Sequence, residues 1–308
     1  MAGVLSGLLN LVTIVFAVSS MLSVGLGHTW TDIIGPLRNV RRVGRALVAN
    51  FVLVPLLAYL VVRVLVLDDS LAVGLMLIAM AAGTPFLIKL TTAAGGDVGL
   101  SATLLVLLLP ATVIYMPFVV PLVVPAAEVS VGAIALPLIL SMLLPLAMGL
   151  FVKVRASGWA ERLQPIMAQT SGYTLMALIG LTVAANLPGI LDVTMRSILA
   201  AMLFVGGAFA IGYLLGGRNP DARDVLGLGT GQRNVAAATV VATQGFDDPD
   251  TLIMVVVTAL VGLAVLFPIA AKLREREGRR HGLAEQESIV AGAISREGQP
   301  NKPPPSAP

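Results

Sequence analysis

Between Val4 and Lys272 the chain falls into apolar runs of about 20 residues, one after another, and no other feature limits its fold as tightly. At about 1.5 Å per residue, a run of that length crosses the roughly 30 Å hydrocarbon core of a bilayer as a helix. Inside that core each backbone N–H and C=O must find a partner within the protein, and a helix supplies those partners locally. Polar and turn-rich breaks predict nine spans, at 4–26, 44–66, 71–94, 98–124, 130–152, 166–187, 195–216, 225–244 and 250–272. The expected fold class is an all-α polytopic membrane protein. Composition supports it, with 57% of residues hydrophobic and 12% charged, against about 25% charged in soluble domains. The first run has no Lys or Arg ahead of it and extends from Val4 to Leu26. It exceeds a secretory h-region of about 7–15 residues and is read as a span.

Charge placement orients the spans. The stretches after the first, fifth and seventh carry Arg38, Arg41, Arg42, Arg45, Lys153, Arg155, Arg162, Arg218 and Arg223. The chain past the ninth adds Lys272, Arg274, Arg276, Arg279, Arg280, Arg296 and Lys302, which brings sixteen of the twenty basic residues to one side. The other side holds Arg63 and Arg196 with Asp68, Asp69, Asp247, Asp248 and Asp250. The positive-inside rule then places the N-terminus outside and the C-terminus in the cytoplasm, in a cell inner (plasma) membrane, with Trp30 and Trp159 at the cytoplasmic interface. Residues 273–308 turn charged, then rich in Gly, Pro and Ser, and end KPPPSAP. They are expected to form a disordered cytoplasmic tail behind a transporter domain of residues 1–272. The net charge of +3 follows from this asymmetry and is no nucleic-acid footprint. The lack of cysteine excludes disulfides, thiolate metal sites and cysteine nucleophiles. The implied partner is the lipid bilayer; no cofactor or metal cluster is called for, and no segment dictates an oligomeric state.

Two basic residues remain inside spans, Lys89 in the third and Arg233 in the eighth, while Asp32 and Asp97 fall at helix ends. A charge at the bilayer centre costs at least about 2.5–3.5 kcal/mol, so it either snorkels to the interface or faces a cavity or partner. With no carboxylate deep in any span, the two cations imply that the anion arrives as a ligand. The third span is interrupted by Gly83-Thr84-Pro85 and the eighth by Gly227, Gly229 and Gly231, with Gly-Thr repeated at 83–84 and 229–230. Proline removes a helical N–H and glycine weakens the helix. Paired interrupted helices, one in each half, mark a transporter site built from repeats. The candidate substrate-binding and crossover residues are Arg233, Asn234, Gln232, Lys89, Thr84, Thr230 and Ser101, with Gly83, Pro85, Gly229 and Gly231 as helix breaks. The Thr84 hydroxyl either meets substrate or returns to a helix carbonyl. His28, at a helix end, and His281, in the tail, are assigned no proton-relay role.

Three segments carry a likeness to a known family: MLSVGLGHTWTDI at 21–33, GTPFLIKL and GGDVGLSATLL within 83–105, and GTGQRNVAAATVVA at 229–242. They resemble the bile acid:sodium symporter family. The resemblance implies two inverted five-helix repeats with the first helix of repeat one missing. It implies a panel domain of spans 1, 5 and 6, a core domain of spans 2–4 and 7–9, and broken spans 3 and 8 crossing beside a substrate cleft. It further implies that sodium-coupled members carry a glutamate and a glutamine where this chain has Gly229 and Arg233. A serine–asparagine pair corresponds to Phe86-Leu87 and a threonine to Leu105, while Ser101 and Asn234 are kept. Sodium takes hard oxygen ligands, and a guanidinium offers only donors. The expected function is therefore a secondary transporter of a small organic anion, working by alternating access without sodium coupling. In this reading Arg233 braces the crossover and faces the anion.

Other readings remain open beside this one. Within transport they are a sodium-coupled bile acid or organic-anion symporter with displaced ion ligands, and an exporter of the arsenite or auxin-carrier type on the same fold. A non-transporting membrane sensor is the alternative from a different class. An intramembrane enzyme built on Lys89 and Ser101 lacks an oxyanion motif, so no enzyme is expected.

Overall fold

A computed structural model describes residues 2–29, 40–124, 131–185, 195–246 and 248–297. The regular elements among them are all helical. The chain runs through α1 (Ala2–Gly27), α2 (Val40–Leu65, with a π-turn at Ala49–Leu53), α3 (Asp69–Met80), α4 (Phe86–Ala94) and α5 (Val98–Val123). It continues through α6 (131–155, with a π-turn at Ile139–Leu143), α7 (Ser157–Ala185), α8 (Met195–Leu215), α9 (Pro220–Gly231), α10 (Val235–Gly245) and α11 (Pro249–Glu297). Six of these, α1, α2, α5, α6, α8 and α11, are long and apolar enough to cross a membrane. Leu60, Val64, Phe118, Leu122, Tyr173 and Leu214 stand exposed on the outside, as side chains facing lipid do.

The expected spans at 71–94 and 225–244 each appear as two helices meeting at a break, α3/α4 and α9/α10. The first break, at 81–85, contains the expected Gly83-Thr84-Pro85. The second is corrected. Gly227 and Gly229 lie within α9, and the chain leaves the helix only at Gln232. The glycines there serve close packing: a Cβ on Gly227 would come within 3.0 Å of the Phe209 ring, and one on Gly231 within 3.0 Å of Leu266 Cδ2. α9 also begins earlier than expected, because the Asn219 side chain accepts from Ala222 N–H at 3.2 Å and Pro220 occupies the first turn.

At its far end α11 continues to Glu297, past the expected boundary at 272. Its Leu, Arg, Glu and Ala residues favour helix, and Glu275 and Arg279 pair across one turn at 3.7 Å. Residues 298–308, Trp30, Asp32, Arg38 and Asp247 lie outside the described residues.

α1 packs along α6 and α7, while α3 packs on α11 and α8 on α9. The α1–α6 contact is backbone to backbone, since a Cβ on Gly25 would sit 2.3 Å from the Leu146 carbonyl oxygen. The two ends of the bundle differ in charge. At one, Lys153 pairs with Glu161 at 3.5 Å, Arg274 lies beside Gly95 and Arg45 beside Gly217. At the other, Ser70 hydrogen-bonds Asp248, whose carboxylate also accepts from Asp250 N–H at 2.9 Å.

Candidate functional site

The two breaks cross, and each satisfies the backbone of the other. Asn234 accepts from Ala237 N–H at 3.1 Å, which caps α10. From the same position its own N–H donates to the Ala81 carbonyl at 2.9 Å and its side-chain amide donates to the Gly83 carbonyl at 2.8 Å. Gly83 holds φ at +74°, and a Cβ there would lie 2.6 Å from Leu109 N, so both conformation and space call for glycine. Thr112 of α5 closes the remaining gap: its hydroxyl accepts from Ala82 N–H at 3.0 Å and donates to the Ala82 carbonyl at 2.9 Å.

Arg233 is 3% exposed and points into this knot. Its Nε donates to the Ile78 carbonyl at 3.3 Å and Nη2 to the Ala79 carbonyl at 2.6 Å. Its Nη1 donates to Asn50 Oδ1 at 2.6 Å and to the Thr230 carbonyl at 3.3 Å. The carbonyls at 78 and 79 end α3, and the one at 230 ends α9. A helix C-terminus carries roughly half a negative charge, so two of them together offset about one guanidinium charge. The counter-anion missing from the sequence is thus supplied by backbone. Arg233 thus braces α2, α3 and α9 together at the crossing.

Thr230, fully buried, accepts from the Asn50 side-chain amide at 3.2 Å. Asn50 itself lies in the π-turn of α2, whose released Phe51 carbonyl accepts from the Tyr115 hydroxyl at 2.8 Å. Asn50, Thr112 and Tyr115 escape the sequence reading. The available signal for Asn50 is an amide within an otherwise apolar stretch.

On one side the crossing is sealed with leucine. A Cβ on Gly229 would come within 2.6 Å of Leu104 Cδ2 and 3.0 Å of Leu87 Cδ2, and Leu87 and Leu105 are buried. Ser101 is fully buried beside them, with its hydroxyl donating to the Val98 carbonyl at 2.8 Å.

On the other side lies a cavity of about 470 Å³ between α1, α7 and the crossing. It extends from Gln232 and Asn234 at the breaks to His28, Lys89 and Gln164 toward the basic end. Lys89 is exposed there and makes no ion pair among the described residues. Thr84 and Pro85 line it at the start of α4, and Asn234 and Val235 at the start of α10. Thr84 turns its oxygen toward Phe86 N–H at 3.3 Å. Gln232 is 6% exposed and its Oε1 has no partner among the described residues. Of the expected site residues, Lys89, Thr84, Pro85, Gln232 and Asn234 therefore share the cavity, while Arg233, Thr230, Gly83, Gly229, Gly231 and Ser101 stand behind it. His28, Ser20, Ser23, Gln164 and Ser171 also line it and are missed by the sequence reading.

The model of the sodium bile acid symporter family matches residues 14–214. The chain belongs to that family. The match covers α4 and the cavity face of α1 and α7, and the second break lies beyond it. Among relatives, the chain is 26% identical over 255 residues to "Probable sodium/metabolite cotransporter BASS1, chloroplastic" of Arabidopsis thaliana, covering 80% of this chain and 63% of that protein. It is 24% identical over 249 residues to the protein of the same name in Oryza sativa subsp. japonica, covering 78% of this chain and 60% of that one. The chain thus spans less than two thirds of the length of these relatives. The sodium bile acid symporter family is a family of membrane transporters and not an enzyme class.

Proposed function

We propose that this member of the family carries a small organic anion across the membrane by alternating access, and does so without sodium. One observation carries the reading. The cavity is lined by Lys89 and by the N-terminal ends of α4 and α10, with no Asp or Glu among the described residues of its wall. Helix N-termini and an ammonium group all favour negative charge. The rest of the wall, including Phe16, Val24, Phe86, Leu175, Met176 and Ile179, is apolar and suits a hydrocarbon body.

The sealed side supports the second half of the proposal. The position that the resemblance assigns to a sodium-binding carboxylate is Gly229, pressed against Leu104 and Leu87. The aligned glutamine is Arg233, whose donors already hold carbonyl oxygens. Ser101 alone brings an oxygen, and that hydroxyl is engaged within α5. These residues do not fit a sodium ion. In this reading nine spans form two inverted repeats. A panel of α1, α6 and α7 moves against the remaining helices, which form the core, with the N-terminus outside and the basic end in the cytoplasm. The reading is tested by thermal stability of the purified protein against carboxylates, sulfonates and organic cations, followed by flux in proteoliposomes. Stabilisation and uptake of anions alone are expected; a preference for cations would refute the reading.

A further inference from the structure

The polar side chains at the crossing are matched to partners, with one exception. Asn234 uses both ends of its amide, donating to the Gly83 carbonyl at 2.8 Å and accepting from Ala237 N–H at 3.1 Å. Arg233 donates to carbonyls and to Asn50, and Asn50 donates in turn to the Thr230 hydroxyl at 3.2 Å. Gln232 stands between these residues in the chain and is 6% exposed, yet its Oε1 has no partner among the described residues. A buried atom of Thr13, Thr91, Arg223 and Thr239 is also unmatched, but none of those residues borders the cavity, whereas Gln232 does. The Gln232 backbone is extended, with φ −84° and ψ 116°, and its N–H donates to the Leu228 carbonyl at 2.8 Å, which fixes where the side chain leaves the chain. The residue also borders a narrow pocket shared with Arg233, Thr258 and Gly262. An acceptor buried without a donor costs free energy, and a solute that brings the donor recovers it.

We propose that Gln232 reads a hydroxyl on the solute, so that the cavity selects hydroxycarboxylates over the corresponding unsubstituted acids. The inference rests on the anion reading above and narrows its substrate class. In the chain Gln232 precedes Asn234, the cap of α10, and Val235, the first residue of that helix, and all three border the cavity. An anion held at that helix N-terminus therefore comes beside the Gln232 amide. A hydroxyl on the carbon next to a carboxylate places a donor and an acceptor side by side. The terminal torsion of a glutamine is broad and two-fold, so either end of the amide can be turned to the solute. Oε1 then accepts from the hydroxyl, or Nε2 donates to the carboxylate. An ammonium on the solute is the poorer donor here, because Lys89 borders the same cavity and α4 and α10 bring their N-terminal ends to it. An acid without the hydroxyl leaves Oε1 unmatched, and that is the basis of discrimination.

The test compares binding of octanoate and 2-hydroxyoctanoate, which differ by one hydroxyl and are both ionised at neutral pH, to the full chain in detergent. The wild type is expected to bind the hydroxy acid at least about tenfold more tightly. In Gln232→Leu that ratio should fall to within about twofold, with the affinity for octanoate kept or raised. Gln232→Met, closer to glutamine in length, should do the same. A residue that only packs would shift both acids together. Since Oε1 has no protein partner to lose, the folded yield of both variants should stay near that of the wild type. A collapse of yield in both would give Gln232 a structural role and overturn the inference. Equal affinities of the wild type for the two acids, or an unchanged ratio in the variants, would overturn it as well and leave the anion reading standing. Failure of both acids and of the wider panel of carboxylates and sulfonates to bind would overturn the anion reading and this inference with it.

Discussion

Arg233 and Lys89 are cations brought to the same crossing, and the molecule treats them in opposite ways. Arg233 is 3% exposed, with its donors spread over Ile78, Ala79, Thr230 and Asn50. Lys89 stands exposed in the cavity wall, with no ion pair among the described residues. The difference follows from the polarity of the broken helices. The C-terminal ends of α3 and α9 meet behind the cavity and present carbonyls, which a planar guanidinium with several fixed donors can join. The N-terminal ends of α4 and α10 open forward and present N–H groups, which leave the ammonium beside them unneutralised. One cation is spent on the crossing; the other stands in the cavity wall.

The contrast breaks most visibly if Arg233 is removed. Arg233→Met leaves the Ala79 and Thr230 carbonyls and Asn50 Oδ1 buried without their guanidinium donor, while the Ile78 carbonyl keeps only its bond from Ala81 N–H, and a loss of about 3–5 kcal/mol is expected by analogy with a broken buried charge pair. Folded yield in detergent should collapse, and Arg233→Lys, with a single ammonium on a flexible stem, should rescue it only in part. A stable Arg233→Met that has merely lost ligand binding would reverse the assignment. A smaller effect sharpens the same point at the first break. Thr112→Val strips Ala82 of both its partners at 3.0 and 2.9 Å. A loss of about 1–3 kcal/mol is expected, read as a lowered melting temperature with the cavity's ligand preference intact. Lys89→Gln lies at the other extreme. Its side chain is exposed, so stability should change by less than about 0.5 kcal/mol, while anion-induced stabilisation disappears in the thermal assay.

Much of this architecture is legible in the sequence, and the limits have a physical cause. Apolar runs locate the helices because the bilayer demands internally bonded backbone. Gly83 and Pro85 announce the first break because each alters the local backbone. The second break is placed too early at Gly227 and Gly229, which are packing glycines within α9, and within one residue at Gly231, the last of that helix; the departure at Gln232 follows from the crossing itself. The partners of Arg233 in α2 and α3 lie 183 and about 154 residues away in sequence, and no local pattern points to them. Counting side-chain carboxylates alone leaves out the negative charge of helix ends, which is what Arg233 meets here. The cavity position of His28 is not legible either, because nothing at a helix end shows that residues of α4 and α7 border the same space.

The most direct test of the central claim is solute flux with sodium removed. Leu104 and Leu87 pack against Gly229, and Leu87 and Leu105 are buried; the proposal of sodium independence stands on that packing, since a carrier coupled to an ion must bind it differently in its two states. Flux of the stabilising anion into proteoliposomes should be measured in sodium and in choline buffers at matched ionic strength and pH. Equal rates, within about twofold, are the expected result. A fall of tenfold or more on replacing sodium, about 1.4 kcal/mol or more of lost coupling, would contradict it and place the ion among oxygens other than those aligned here.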